Sequence, residues 1–488
     1  MPSQRCAAAL FGMLGLLLGS EVAGAAPASA PEPDSPPAPP AAVSLGLPQA
    51  RPITLAEALA FARSHQPAVL ASLARIGTEK ANAEVPRAQF APLVGLTAQF
   101  LEGTTNNTTA SYLTEPFVDL PRIGGTPSAN SGSASWKPYA STLAAAGVSQ
   151  EIFDFGRIAA ASAAADARVT VAARAADTLL LDIELNVEEA FFAVRAAKSI
   201  LQASEDAYQR SLVHRDFAGA GVKSGLRSPI DLTRAEADLG RFETGRIRAR
   251  GGLTVAQTVL AAAVGSPELA LDAADGPLTA ADLPALANAI QLGSERDPRL
   301  REAVARLRQP ELETRAVDAL ARPDIRLSAA ISGRAGGATP SNAGGETSGS
   351  GYLPNVPNWD GALVLSWPLF DATIKARARA SRVAEEVSRN EIDLVRQQVV
   401  AAVEQAYVGV VVAREALPSL QHEVAAARAN YAQADARFQA GLGTSVELAD
   451  AEALRADADI RLAMGIFELA KARASFGRAI AEGAGSNP

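Results

Sequence analysis

The chain has 488 residues, room for about two to four ordinary domains or one extended architecture. Hydrophobic residues make up 48%, enough for a folded core, but much of that is alanine, and aromatics at 5% are sparse for a compact enzyme. The net charge of −8 argues against nucleic acid as a main partner.

Residues 1–30 read as a secretory signal. Arg5 supplies the positive start, 7–19 the apolar core and 23–30 several small-residue cleavage positions. The apolar core is too short to span a bilayer. Cys6 is the only cysteine and lies inside this signal, so the exported chain is expected to carry no thiol, disulfide or thiolate ligand, and no lipid anchor. Residues 31–51 read as a disordered leader rich in Pro and Ala. No later window has the run of about 18 apolar residues that a membrane helix needs, which leaves membrane strands, a much weaker signal, open.

Thr54 with Glu57 forms a capping-box pattern, opening a helix over 56–89 with a break at Pro67 and its far end marked by Pro86 and Pro92. Residues 93–101 alternate: Val94, Leu96, Ala98 and Phe100 share one face, and Gly95, Thr97 and Gln99 the other. A loop over 103–141 carries Tyr112, Phe117, Trp136 and Tyr139, and a return strand spans 142–152. At Phe153 and Asp154 the period changes from two to about 3.6, and an alanine-rich helix follows to about Leu212. A Gly-rich turn is expected over 217–228, including Gly219 and Gly221, and Pro229 and Asp231 open the next helix, to Val264.

After a polar connector (265–296) with a short helical piece, the order recurs. A helix over 297–320, kinked at Pro310, precedes a strand over 324–332 and a loop over 333–360. The return strand is 361–370, and the period changes again at Phe370 and Asp371. A long helix over 374–438, bent at Pro418, leads to a turn at Gly441, Leu442, Gly443 and Thr444 and a last helix over 446–480. Residues 481–488 form a disordered tail. Asp154 and Asp371 are expected helix N-caps. VEEAFFAV at Val187 and VEQAYVGV at Val403 are 216 residues apart, as are IDLTRAE at Ile230 and VELADAE at Val446. The chain therefore reads as two structural repeats, 52–264 and 297–480.

Four strands cannot close a barrel, and open edges are not tolerated in a bilayer. An oligomer that pools strands solves both problems, and three protomers would supply twelve, an even number within the known range. The expected fold class is a mixed α+β membrane protein, a trimeric twelve-stranded β-barrel continued by a long α-helical barrel; the resemblance given next implies that the β-barrel lies in the outer membrane and the helical barrel in the periplasm.

The layout and several motifs resemble the TolC-like outer-membrane factors, the trimeric exit ducts of efflux pumps and type I secretion systems in Gram-negative bacteria. ITLAEALAFARSHQPAVLAS at 53–72 resembles that family's opening helix, with His65, Gln66 and Pro67 where its Asn-Pro stands. VSQEIFDFGR and VLSWPLFDA resemble its strand-to-helix junctions, although Glu151 and Ile152 replace Pro-Leu and Ala372 and Thr373 replace the glycine region. FQAGLGTSVELADAE at 438–452 matches its tip. The resemblance spans roughly 52–478. It implies outward-facing loops at 103–141 and 333–360, tips that contact a periplasmic adaptor (Gly219, Gly221, Gly441, Leu442, Gly443, Thr444), and an RND or ABC transporter in the inner membrane. It further implies a homotrimer in outer-membrane lipid, with Glu447 and Asp450 lining the aperture and Asp231 tying closed helices together. Gly443 stands where the family example has an arginine, so a closing salt bridge from there is absent or replaced, with Arg227 and Arg234 as candidates.

Glu447 and Asp450 are three apart on one helix face, a spacing equally suited to carboxylates at a positive helix start. Phe153 and Phe370 are expected at the membrane rim. Trp136, Tyr139, Trp359 and Trp367 are candidates for an aromatic girdle. The only histidines, His65, His214 and His422, lack ligand spacing, and no nucleophile elbow, phosphate loop or zinc-protease motif is present. No catalysis, cofactor or metal is expected. The alternative to a duct is a periplasmic coiled-coil adaptor or scaffold, which would not need two strand hairpins at matching points.

Overall fold

The computed structural model describes residues 50–103, 138–268, 270–276, 283–336 and 356–482. The signal, almost all of the leader, most of both strand-connecting loops with Trp136, and the end of the tail lie outside them.

The elements are β1 (Arg51–Ile53), α1 (Leu55–His65), α2 (Pro67–Ala88), β2 (Leu93–Gly103), β3 (Tyr139–Phe153), α3 (Arg157–Lys223), α4 (Pro229–Val264), β4 (Leu271–Ala273), α5 (Leu286–Arg296), α6 (Pro298–Ala319), β5 (Asp324–Gly336), β6 (Val356–Ser366), α7 (Ala372–Gln439) and α8 (Ser445–Ala479). Each half runs helix, helix, strand, strand, long helix, helix. The matched lengths are 11 and 11 residues for α1 and α5, 22 and 22 for α2 and α6, 67 and 68 for α3 and α7, and 36 and 35 for α4 and α8. At 1.5 Å per residue, α3 and α7 are each about 100 Å long.

The main sheet is antiparallel in the order β2-β3-β5-β6, so β2 and β6 are its open edges. Paired residues share a face. Val94, Leu96 and Ala98 stand opposite Val148, Ala146 and Ala144, while Leu327 and Ile331 stand opposite Leu363 and Trp359. This face is apolar and open: Leu96 is 81% exposed and Trp359 78%. The other face carries Thr97, Gln99, Ser149, Glu151, Arg326 and Ser328. A bulge between Glu151 and Phe153 ends the regular register of β3.

Both junctions satisfy free helix-start N–H groups with an aspartate. Asp371 is the N-cap of α7 and accepts from the N–H groups of Thr373 and Ile374. Asp154 does the same work from further back. The N-cap of α3 is Gly156, at φ +87°, and the Asp154 carboxylate accepts from the N–H groups of Gly156 and Ile158. Phe155 also has positive φ, and its carbonyl accepts from Arg322 at 2.7 Å. Phe153 and Phe370 are exposed, Phe153 edge-on to Phe155 and Phe370 beneath the Lys375 ammonium.

Several expectations are corrected. The turn expected over 217–228 is only 224–228, because α3 continues through Gly219 and Gly221. Packing against α4 outweighs the glycine penalty there: a Cβ on Gly219 would sit in ordinary contact with Leu232. The return strand expected over 361–370 is Val356–Ser366. Pro368 has no N–H for a ladder, and the Trp367 indole turns to donate to the Ala321 carbonyl at 3.3 Å. The far end of α2 does fall between Pro86 and Pro92, at Ala88, and α6 and α7 run on through Pro310 and Pro418. The connector holds a short strand, β4, which pairs in parallel with β1 from before α1; each has three residues and no periodicity to read.

That pair anchors the core where the first half's helices meet. Ala58, Ala62, Val187, Phe191, Val194, Leu260, Val264 and Leu271 are buried together, and Ala289, Val403, Val410, Leu469 and Phe476 form the corresponding cluster of the second half. Thr54 and Glu57 form both bonds of the capping box. At the α1–α2 break, the Gln66 amide donates to the Ala263 carbonyl at 3.0 Å, satisfying the end of α4.

On α3, half-buried Glu188 is pushed up to about 7 by burial and by the carboxylates of Glu184 and Glu482. Its ordinary value is 4.5, so the folded state holds this proton more tightly. The resulting stability is complete below the ordinary value and lost as pH rises through about 7. Glu188→Gln is expected to stabilise the fold at pH 8 by on the order of 1–2 kcal/mol after allowance for solvent screening, raising the melting temperature there and not at pH 4. Equal effects at both pH values in circular-dichroism melts would contradict this.

Candidate functional site: the paired helix tips

The far ends of the long helices are closed by two turns of the same construction. In the first, the N–H of Gly225 bonds the Val222 carbonyl and that of Leu226 the Gly221 carbonyl. In the second, Gly441 bonds Phe438 and Leu442 bonds Arg437. Both are Schellman motifs, and both require a left-handed residue, supplied by Gly225 at φ +71° and Gly441 at φ +74°. Pro229 then opens α4. Thr444 caps α8 by accepting from the Glu447 N–H at 3.2 Å.

The two tips touch. The Ser445 hydroxyl donates to the Asp231 carboxylate at 2.7 Å, across 214 positions of sequence. Arg227 donates to the Phe438 carbonyl at 2.7 Å, and its guanidinium lies 3.6 Å from the centre of the Phe438 ring. Phe438 is 1% exposed, with the rings of His214 and Phe217 at 4.7 Å and 5.6 Å. Burial holds the His214 imidazole below its ordinary value of 6.5, with Asp238, Asp435 and Asp231 opposing and Arg227 reinforcing that shift.

Glu447 and Asp450 are exposed on the first turns of α8. Glu447 has Arg437 at 4.0 Å, while Asp450 has no ion pair among the described residues. Neither is brought to Asp231, which is engaged by Ser445. Arg234 is exposed on α4. At Gly443 a Cβ would fit only tightly, 3.1 Å from the Phe438 nitrogen. Gly221 likewise makes room for the Arg227 stem, whose Cδ would lie 2.8 Å from an added Cβ.

Above the tips lies a buried polar cluster that the sequence did not reveal. Arg210 on α3 holds Glu452 on α8, its Nε donating to both carboxylate oxygens at 3.0 Å. Tyr431 on α7 has the Arg210 and Arg455 guanidiniums near its ring, and burial beside Glu452 and Asp435 pushes its hydroxyl up to about 12. Burial also raises the Glu452 carboxyl, against the pull of Arg210. A cleft of about 300 Å³ opens beside this cluster, lined in part by His214, Phe217, Tyr431 and Phe438. Arg210 and Glu452 are 242 positions apart, and nothing local in either segment marks them as partners. Among the described residues, no group of three or more His, Cys, Asp and Glu could hold a metal ion, and no helix is long and apolar enough to cross a membrane.

Residues 59–266 and 289–480, most of the chain, match the outer membrane efflux protein family. The chain is 27% identical over 412 residues to protein CyaE of Bordetella pertussis, covering 83% of this chain and 78% of that protein. Among solved structures it resembles the CmeC outer membrane channel of Campylobacter jejuni, with a TM-score of 0.71 and 13% identity, covering 89% and 87% of the two chains. It also resembles the outer-membrane channel OprN, with a TM-score of 0.65 and 19% identity, covering 88% and 90%. The open state of the MtrE outer membrane channel of Neisseria gonorrhoeae gives 0.65 and 18%, covering 87% and 88%. These likenesses establish the fold, and the match along both halves establishes that the chain belongs to the outer membrane efflux protein family, a family of channels and not of enzymes.

Proposed function

We propose that the chain is the outer-membrane exit duct of a tripartite efflux pump or type I secretion system, passively conducting substrates from an inner-membrane transporter and periplasmic adaptor to the exterior. The observation that carries this is the four-stranded sheet, apolar and exposed on one face and small or polar on the other, with two open edges and two very long helices leading from it. In lipid the apolar face is satisfied, and edge-to-edge pairing of β6 with β2 of the next copy removes the open edges. Three copies give a twelve-stranded barrel. The helices make the same demand: α7 exposes Val383, Val387, Leu394, Val408 and Val412, and α4 exposes Ile247, Val255 and Val259, apolar positions suited to helices of neighbouring copies. The matched element lengths of the two halves support an internal duplication.

In this assembly the tips point to the periplasm, where they meet an adaptor served by an RND or ABC transporter. Threefold symmetry sets six carboxylates, Glu447 and Asp450 from each copy, around the aperture, and Asp231 ties the closed helices through Ser445. Such a ring favours cations and binds a blocking multivalent cation. Replacing both Glu447 and Asp450 with alanine is expected to move the reversal potential of the reconstituted duct toward zero under a salt gradient and to weaken block by a trivalent cation about tenfold or more. Unchanged reversal potential and block would reject the assignment of these residues.

A further inference from the structure

We infer that Lys375 and Arg379, at the start of α7, form a docking site for the head group of an anionic phospholipid in the periplasm-facing leaflet of the membrane; this rests on the duct function proposed above, which sets the apolar face of the sheet in lipid. The apolar surface of β6 runs on past the end of the strand. Beyond Leu363 and Leu365, Trp367 is exposed, as are Leu369 at 78% and Phe370 at 75%. The Lys375 ammonium lies 4.7 Å from the centre of the Phe370 ring, so it sits over this apolar rim. Arg379 is one turn further along, on the same face of the helix, while Arg377 projects from the other side. Lys375 and Arg379 are exposed, and no carboxylate lies within 4.0 Å of either among the described residues. Arg382, the next cation on that face, already has Asp318 at 3.4 Å.

The spacing fits a bilayer. The polar head-group layer is about 5–8 Å deep on each side of the hydrocarbon. Lys375 borders the apolar rim, and Arg379 stands about 6 Å further from it along α7. The two cations therefore span the depth at which lipid phosphates lie, with Leu369 and Phe370 on the hydrocarbon side. Each cation beside an anionic membrane surface strengthens binding about fivefold. The fold itself does not call for these charges. Asp154 and Asp371 serve the two matching helix starts, and counting from them Lys375 and Arg379 stand where the first half has Ile158 and Ser162. Lys375 also falls in the first turn of α7, where a cation opposes the helix dipole. In a chain of net charge −8, cations set against the helix, without a protein partner and beside an exposed aromatic rim, are complemented by an anion held at a membrane surface.

The test uses the full chain reconstituted in phosphatidylcholine bilayers, with Trp136→Phe and Trp359→Phe leaving Trp367 as the one tryptophan. A fifth of the lipid is replaced by brominated phosphatidylglycerol or, separately, by brominated phosphatidylcholine, whose bromines quench indole fluorescence on contact. The phosphatidylglycerol is expected to quench Trp367 at least about threefold more strongly. Lys375→Gln with Arg379→Gln should make the two lipids equal, and Lys375→Arg with Arg379→Lys should keep the difference. Arg248→Gln with Arg250→Gln removes the same charge from the exposed face of α4 and should change nothing; loss of the preference there would reduce it to net charge and overturn the site. Millimolar inorganic phosphate at constant ionic strength should not compete; if it does, the site takes a free anion and the lipid assignment falls. If the paired glutamine variant does not insert, the comparison of the two lipids with Lys375 and Arg379 in place still decides. Equal quenching by both lipids there would overturn the lipid site and leave the duct standing, because Trp367 is then in the bilayer. No quenching by either would take the sheet out of the bilayer and overturn the duct reading, and the site with it.

Discussion

Glu452→Ala is expected to destabilise the protein by about 3–5 kcal/mol, the cost of leaving a buried charge without its partner. The Glu452 side chain is 6% exposed and Arg210 19%, and their bidentate contact joins α3 to α8, one helix from each half. Removing both charges is a different matter. The double variant Arg210→Met with Glu452→Leu should recover most of the loss, since a matched apolar pair fills the volume without a desolvation penalty. Thermal melts followed by circular dichroism distinguish the two outcomes. A Glu452→Ala protein that melts with the wild type would mean that the pair is solvated.

Gly265→Ala is the second large effect, expected at about 2–4 kcal/mol. Gly265 ends α4 at φ +90°, and a Cβ there would come 2.8 Å from the Gln66 Cα and 3.1 Å from the His65 carbonyl oxygen. Both obstacles are backbone, so no rotamer change relieves them. Gly225 and Gly441 provide an internal comparison. They share the positive φ but meet nothing within 4 Å, so alanine at either should cost only about 1 kcal/mol, the conformational part alone. If Gly265→Ala melts no lower than Gly441→Ala, the close crossing of the α4 end over the α1–α2 break is wrong.

These two sites mark what can and cannot be read from the chain itself. The strand-to-helix junctions are legible because a side-chain period of two gives way to one of about 3.6 at Phe153 and Phe370, and Asp154 and Asp371 serve the helix starts as their chemistry suggests. The capping box at Thr54 is legible for the same reason: its partners are three residues apart. The lengths of α3 and the first tip are not. Glycine signals a turn locally, and only the contact with the Arg227 stem shows that Gly221 is there for close approach inside a helix, while Gly219 meets Leu232 at no more than ordinary contact. The β1–β4 pair is too short to carry a period. At the tips, the residues Asp231, Glu447 and Asp450 could be named from sequence, but their partners could not. Ser445, Phe438 and Arg210 matter through contacts more than 200 positions away.

The central claim is that the open sheet and the paired long helices are one third of a membrane duct. It is tested most directly by extracting the full chain from outer membranes, measuring its mass in detergent and recording conductance after reconstitution. The expected result is a trimer that forms discrete, cation-selective channels in planar bilayers. A monomer released without detergent and silent in the bilayer would contradict it.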